Sequence, residues 1–209
     1  MSRRKDRFMT EEVRKIAEEL ELAAKRAYTR GIQTGSGGNV SARIPGQDLM
    51  IAKASGGSMG DCTPEKFVIT DFDGNMVEGV GKPTREALLH GFLYKICPHV
   101  NAVVHTHSPY CIAWASTRKA LVRTTWHSQL KFCADMPTLD VPAAIVSPEY
   151  FPQVEAIFKE NPDLPGFLLV DHGLVAVGKD ALTAEHNAEL MEETAQIAIL
   201  KAAVAKLGL

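Results

Sequence analysis

Two histidines one residue apart close an apolar run, Ala102-Val103-Val104-His105-Thr106-His107-Ser108-Pro109. In a strand, side chains at i and i+2 share a side, so both imidazoles can face one point. A third, His172, follows Phe167-Leu168-Leu169-Val170-Asp171 and precedes Gly173. Three neutral imidazoles with a fourth position left open are the ligand set of a catalytic divalent metal. A histidine in an apolar run otherwise serves as a hydrogen-bonded core residue, and spacing alone leaves both readings open. Glu86, in Lys82-Pro83-Thr84-Arg85-Glu86, is a carboxylate available for acid–base work. It equally suits the first turn of a helix, where the macrodipole favours negative charge.

Two loops are dense in glycine, Gly35-Ser36-Gly37-Gly38-Asn39 and Ala54-Ser55-Gly56-Gly57-Ser58-Met59-Gly60. Glycine lets backbone N–H groups converge on an anion. Ser36, Asn39, Ser55 and Thr84 can add side-chain donors, and Arg85 a bidentate charged contact. Neither loop matches the Gly-x-x-x-x-Gly-Lys-Ser/Thr nucleotide pattern. Each alone reads equally as a turn; together they point to a small phosphorylated substrate.

The elements that must position these groups follow from periodicity. Thr10-Glu11-Glu12 reads as a helix start, and Val13, Ile16, Ala17, Leu20, Ala24 and Ala27 recur at helical spacing up to a stop at Gly31. Strands are expected at 40–44, 49–52, 67–70, 167–170 and 174–178, besides the His105/His107 strand. A helix is expected over Thr84 to Ile96, with Leu88, Leu89, Phe92 and Leu93 inward. Further helices are expected from Pro109 towards Ser116, over Pro148 to Lys159, and from Asp180 to the C-terminus. Val141 to Val146 is expected as a strand, with Pro142 marking a sheet edge. His90, His99 and His186 read as structural or surface residues. There is no repeat or linker, so the economical reading is one α+β domain with a central sheet flanked by helices.

The chain has 209 residues, 45% of them hydrophobic, enough for one sizeable core. A net charge of −2 and no basic block argue against a nucleic-acid surface. No run approaches the roughly 18 apolar residues of a membrane span. The basic start, Met1 to Arg7, lacks the apolar segment of a signal peptide. Cys62, Cys97, Cys111 and Cys133 are scattered; as small apolar residues they fit a reduced cytoplasm.

Gly35 to Ser41, Ser55-Gly56, Pro83-Thr84-Arg85-Glu86, His105-Thr106-His107 and Asp171-His172-Gly173-Leu174 occur in the order and spacing of the class II aldolase/adducin family. The chain resembles that family over nearly its whole length, which implies one domain over 1–209 with a mainly antiparallel sheet. The resemblance implies that His105, His107 and His172 hold Zn2+ or another divalent ion such as Mn2+ or Co2+, and that Glu86 is the acid/base. It matches Gly38, Asn39, Ser55, Gly56 and Thr84 to a phosphate cradle, with Ser36 nearby. Arg85 stands where the family's aldolases often have a second serine. Homotetramers with sites at subunit interfaces are implied as well.

The implied reaction cleaves a ketose 1-phosphate, fuculose-1-phosphate-like, into dihydroxyacetone phosphate and an aldehyde through a metal-stabilised enediolate. Fucose-type aldolases carry one tyrosine in the segment after His-x-His and another in a C-terminal tail. Here Trp126-His127 falls near the first place, and the sequence ends at Leu209 without the second. The departure points to a small or apolar aldehyde, as from a 5-deoxy- or 5-methylthio-pentulose 1-phosphate. His127 is then either a candidate acid or a packed or surface residue. A 3-oxo-tetronate 4-phosphate decarboxylase and a methylthioribulose-1-phosphate dehydratase would share the metal. A ribulose-5-phosphate 4-epimerase would need an aspartate after His-x-His, and Thr124 to Leu130 holds none. An adducin-like interaction module would lack the full histidine triad.

Overall fold

The computed structural model describes residues 10–208; the basic start, Met1 to Arg7, lies outside them. The Thr10 side chain accepts from the Val13 N–H and opens α1, Glu11–Thr29, which buries its alanine-rich stripe. Strands β1 (Asn39–Arg43), β2 (Leu49–Lys53), β3 (Phe67–Asp71) and β4 (Met76–Glu78) form an antiparallel meander. Helix α2 (Ala87–Ile96) leads to β5 (Ala102–Thr106), followed by α3 (Pro109–Ala115) and α4 (Trp126–Lys131). Strand β6 (Thr138–Leu139), helix α5 (Phe151–Glu160), strands β7 (Gly166–Leu169) and β8 (Gly173–Gly178) and helix α6 (Ala181–Lys206) complete the chain.

The eight strands make one sheet in the order β4-β3-β2-β1-β5-β8-β7-β6. Every pairing is antiparallel except β6 with β7. This is the expected α+β architecture. Its centre is β1, β5 and β8, whose apolar residues are buried in one continuous core with α1, α3 and α6. Central strands buried on both faces read as unbroken apolar runs, which is why 102–104 and 174–177 were legible. Among the described residues no helix is long and apolar enough to cross a membrane.

Four expectations change. The 84–96 helix begins at Ala87, so Glu86 is its cap residue, with φ −98° and ψ 15°. Leu88 faces solvent and Phe92 is half-buried, stacked on Phe151 at 4.3 Å. The strand expected at 141–146 is instead Thr138–Leu139 on the sheet edge; Pro142 has no N–H for a ladder, and the Ala143 N–H bonds back to Val141 O at 2.8 Å. Cys133 is exposed, unlike the other three thiols, because it follows the short α4, a helix the apolar pattern did not show. Thr125 and Ser128 form the capping box that starts α4.

Helix α2 is pinned by close backbone contact. A Cβ on Gly91 would sit 2.0 Å from Phe72 O. Gly91→Ala is expected to destabilise the protein by at least about 1–3 kcal/mol, the cost of forcing atoms into a filled core, as measured by urea unfolding. An unchanged midpoint would show that α2 can shift freely.

Helices α1 and α6 are joined by a charge cluster. Arg26 Nε lies 2.8 Å from Glu185 Oε2 and 2.9 Å from Glu189 Oε1. Burial, and then the hydrogen bond and charge of Glu189, push the Glu185 carboxyl from 4.5 to about 8. Its native pKa exceeds its unfolded value, so the native state binds the extra proton in the window from 4.5 to about 8. Its contribution to stability therefore declines as pH rises through that window. Burial is the largest single influence on Glu189 and opposes its ionisation, but the hydrogen bonds to Arg26 and Glu185 and the charges of Arg26 and Arg30 together outweigh it and lower its pKa. Glu185→Gln is expected to raise Tm at about pH 9 by about 2–4 °C and to leave it nearly unchanged at about pH 5. An equal shift at both pH values would contradict the linkage.

Candidate functional site

The site forms where the ends of β1, β5 and β8 meet the start of α2. Asn39 pairs with His105 across β1 and β5, and Thr106 pairs with Leu174 across β5 and β8. His107 lies just beyond β5. His172 sits in the β7–β8 turn, where Asp171 takes the left-handed φ of 53°. Gly173 follows at φ 156°; a Cβ there would meet Thr106 O at 2.1 Å, so only glycine lets the turn close against β5.

The three rings converge. Their centroids are 4.7 Å (His105–His172), 5.0 Å (His105–His107) and 5.2 Å (His107–His172) apart. One nitrogen from each lies within 4.8 Å of the other two. His105 is 1% exposed, and its Nδ1 lies 2.8 Å from Leu174 O. A carbonyl only accepts, so Nδ1 carries the proton and Nε2 presents its lone pair to the site. Burial lowers the His105 pKa to about 4. Burial, and then the charge of His105, takes His172 to about 4 and lowers His107 as well. All three imidazoles are therefore neutral at ordinary pH, the form that binds a metal.

Glu86 is buried beside them. Its Oε2 accepts from Asn39 Nδ2 at 3.2 Å and lies 3.3 Å from His105 Nε2, while Oε1 is buried with no hydrogen-bond partner. A carboxylate oxygen and an imidazole lone pair are both acceptors. Held at this distance in a buried site, they call for a positive charge between or beside them. His105 Nε2 and His172 Nδ1 are likewise buried without hydrogen-bond partners. Orphaned nitrogens, a neutral triad and an adjacent carboxylate fit a divalent cation.

A cavity of about 260 Å³ opens over this cluster. All eleven site residues expected from the sequence line it. Glu86, His105, His107 and His172 form one end, and Ser36, Gly38, Asn39, Ser55, Gly56, Thr84 and Arg85 complete the wall. Gly38, with φ 64°, has no room for a Cβ, which would fall 2.9 Å from His105 O. His127 is not in this wall: it is exposed on α4, 3.6 Å from Glu193.

The sequence reading missed four contributors. Lys53, at the end of β2, is buried and lines the cavity, and burial lowers its pKa. A lysine closing an apolar strand next to the Ser55-Gly56 loop was the available signal. Ala144 and Ile145 line the cavity from the 141–146 segment expected as a strand. Gln33, 1% exposed, accepts from the His107 N–H at 2.8 Å, a contact between residues far apart in sequence.

The chain is similar to known proteins over most of its length. Residues 18–199 match the model for the class II aldolase and adducin N-terminal domain. The chain is 35% identical over 173 residues to an L-fuculose phosphate aldolase of Methanococcus maripaludis, covering 81% of this chain and 88% of that one. It is also 35% identical over 176 residues to the L-ribulose-5-phosphate 4-epimerase UlaF of Salmonella paratyphi B, covering 80% and 77%. Among solved structures, YgbL of Escherichia coli, a putative aldolase/epimerase/decarboxylase, superposes with a TM-score of 0.80 at 26% identity, covering 90% of each chain. With family model, sequence relatives and fold in agreement, the chain belongs to the class II aldolase and adducin N-terminal domain family.

Proposed function

We propose that the protein is a divalent-metal-dependent aldolase that cleaves a ketose 1-phosphate into dihydroxyacetone phosphate and an aldehyde. The observation that carries this reading is the Glu86 carboxylate set 3.3 Å from the lone pair of His105, beside two further neutral imidazoles. His105, His107 and His172 would hold Zn2+, Mn2+ or Co2+. The ion would supply Lewis-acid stabilisation to the negative charge that C–C cleavage leaves on the dihydroxyacetone phosphate half.

The chain's own residues do the rest. Glu86 moves the proton: its Oε1 has no partner to lose, and Asn39 holds Oε2 so that the carboxylate keeps one orientation. Ser36, Gly38, Asn39, Ser55, Gly56 and Thr84 cradle the phosphate, with Arg85 and Lys53 as its cations. Ala144 and Ile145 give the cavity an apolar side that suits a small or apolar aldehyde, as from a 5-deoxy- or 5-methylthio-pentulose 1-phosphate. Trp126 and Leu130, a helical turn apart on α4 and 87% and 81% exposed, suit burial in a homotetramer with interfacial sites. The candidate acid His127, beside them, would then act in another subunit's cavity.

Likeness to an L-ribulose-5-phosphate 4-epimerase makes epimerisation the second reading. Product analysis separates them. The metal-loaded protein is incubated with ketose 1-phosphates, including 5-deoxy and 5-methylthio pentuloses, with L-ribulose 5-phosphate and with a 3-oxo-tetronate 4-phosphate. Dihydroxyacetone phosphate plus an aldehyde is the expected outcome. An epimer alone, CO2 from a 3-oxo-tetronate phosphate, or loss of water would each replace the aldolase reading with the corresponding activity.

A further inference from the structure

We infer that Gln33 is a positioning residue that sets the spacing between the phosphate cradle and the metal ligands. This rests on the proposed function, because it takes the two ends of the cavity to hold two ends of one substrate. Gln33 lies in the loop between α1 and β1, six residues before Asn39, yet it is as buried as the core. A polar side chain sealed in a loop has to have its hydrogen bonds met. Gln33 meets them in two directions. Its Oε1 accepts the His107 N–H at 2.8 Å, and its Nε2 donates to Thr34 O at 2.6 Å, at the entry to the glycine loop.

The glycines complete the contact. A Cβ on Gly37 would fall 2.9 Å from Gln33 Nε2 and 2.7 Å from His107 Nδ1. A Cβ on Gly38 would fall 2.5 Å from Gln33 Oε1. The loop backbone therefore rests directly on the Gln33 amide and on the His107 ring. The neighbouring bond from Ser108 Oγ to Ile32 O, at 3.0 Å, ties the same two segments together just outside the site. One amide thus spans both halves: move it, and the phosphate end shifts relative to the metal end. A ligand held at both ends feels that spacing, whereas a ligand held at one end does not. Linked binding gains from effective concentration only when both sites engage at once.

The test uses three probes on the Zn2+-loaded protein by calorimetry: inorganic phosphate, acetohydroxamate as a metal chelator, and phosphoglycolohydroxamate, which carries both groups. The linked probe is expected to bind wild-type protein about 10²-fold or more tighter than either fragment. In Gln33→Met it is expected to lose about 10²-fold while each fragment stays within about threefold of wild type, as misplacement on an ångström scale costs. Should Gln33→Met not fold, Gln33→Asn, polar but one methylene shorter, is judged by the same criteria. Retention of the full advantage without the amide would overturn the inference. So would equal weakening of all three probes, which marks a merely structural role. If the linked probe shows no advantage even in wild-type protein, the proposed function fails and this inference with it.

Discussion

Glu86→Gln is expected to lower turnover by about 10²–10⁴-fold while the protein stays folded and keeps its metal, the loss typical of removing a general acid–base. The amide is nearly isosteric with the carboxylate, and its carbonyl can still accept from Asn39 Nδ2, which now holds Oε2 at 3.2 Å. The side chain therefore has no cause to leave. It loses the ability to take and return a proton, and one negative charge 3.3 Å from His105 Nε2. Alanine would be a poorer probe, because it strands the Asn39 amide in a buried site. The readouts are kcat, bound metal by elemental analysis, and Tm. A Glu86→Gln protein with wild-type kcat would remove Glu86 from proton transfer. Loss of metal together with activity would make it a ligand rather than a base.

His105→Ala is expected to abolish metal binding and, with it, activity. His105 is the most buried of the triad, and its Nδ1–H satisfies Leu174 O on β8. A ligand oriented by an outer hydrogen bond contributes through that bond as well as through its nitrogen. Removing the ring takes away one of the three proposed ligands, removes the Nδ1–H bond to Leu174 O and opens a void beside Glu86. The stability consequence can be separated from the metal consequence. An ion that binds only the native state stabilises it by mass action, by about 2.7 kcal/mol at a concentration 100-fold above Kd, and so raises Tm. Chelation should therefore lower Tm of wild-type protein and leave that of His105→Ala unchanged. A His105→Ala protein that still holds one equivalent of metal would contradict the assignment of the triad.

The triad was legible because its signal is local. Strand alternation puts His105 and His107 on one side, and the β7–β8 turn that carries His172 lies at the end of the sheet where β5 finishes. The glycine loops were legible for a related reason: Gly38 at φ 64° and Gly56 at φ 85° take a left-handed backbone that favours glycine. What escaped depends on long-range contact. Gln33 in a polar loop looks like a surface residue until His107 is brought against it. Lys53 ends an otherwise apolar strand, and nothing in the period of that strand shows that the lysine turns into a cavity. The segment 141–146 has the apolar composition of a strand, but Pro142 stops the ladder and the chain bends to bring Ala144 and Ile145 over the site. Composition reported that burial was needed there; it did not report which partner supplies it.

The central claim is that a carboxylate beside three metal-binding imidazoles removes a proton next to a carbonyl on a phosphorylated three-carbon unit. It is tested most directly by hydrogen exchange into dihydroxyacetone phosphate in D2O, followed by NMR with the metal-loaded protein. The expected result is incorporation of one deuterium at the unphosphorylated hydroxymethyl carbon, lost on chelation and lost in Glu86→Gln. Absence of exchange from the metal-loaded wild-type protein, with dihydroxyacetone phosphate shown to be bound, would contradict it.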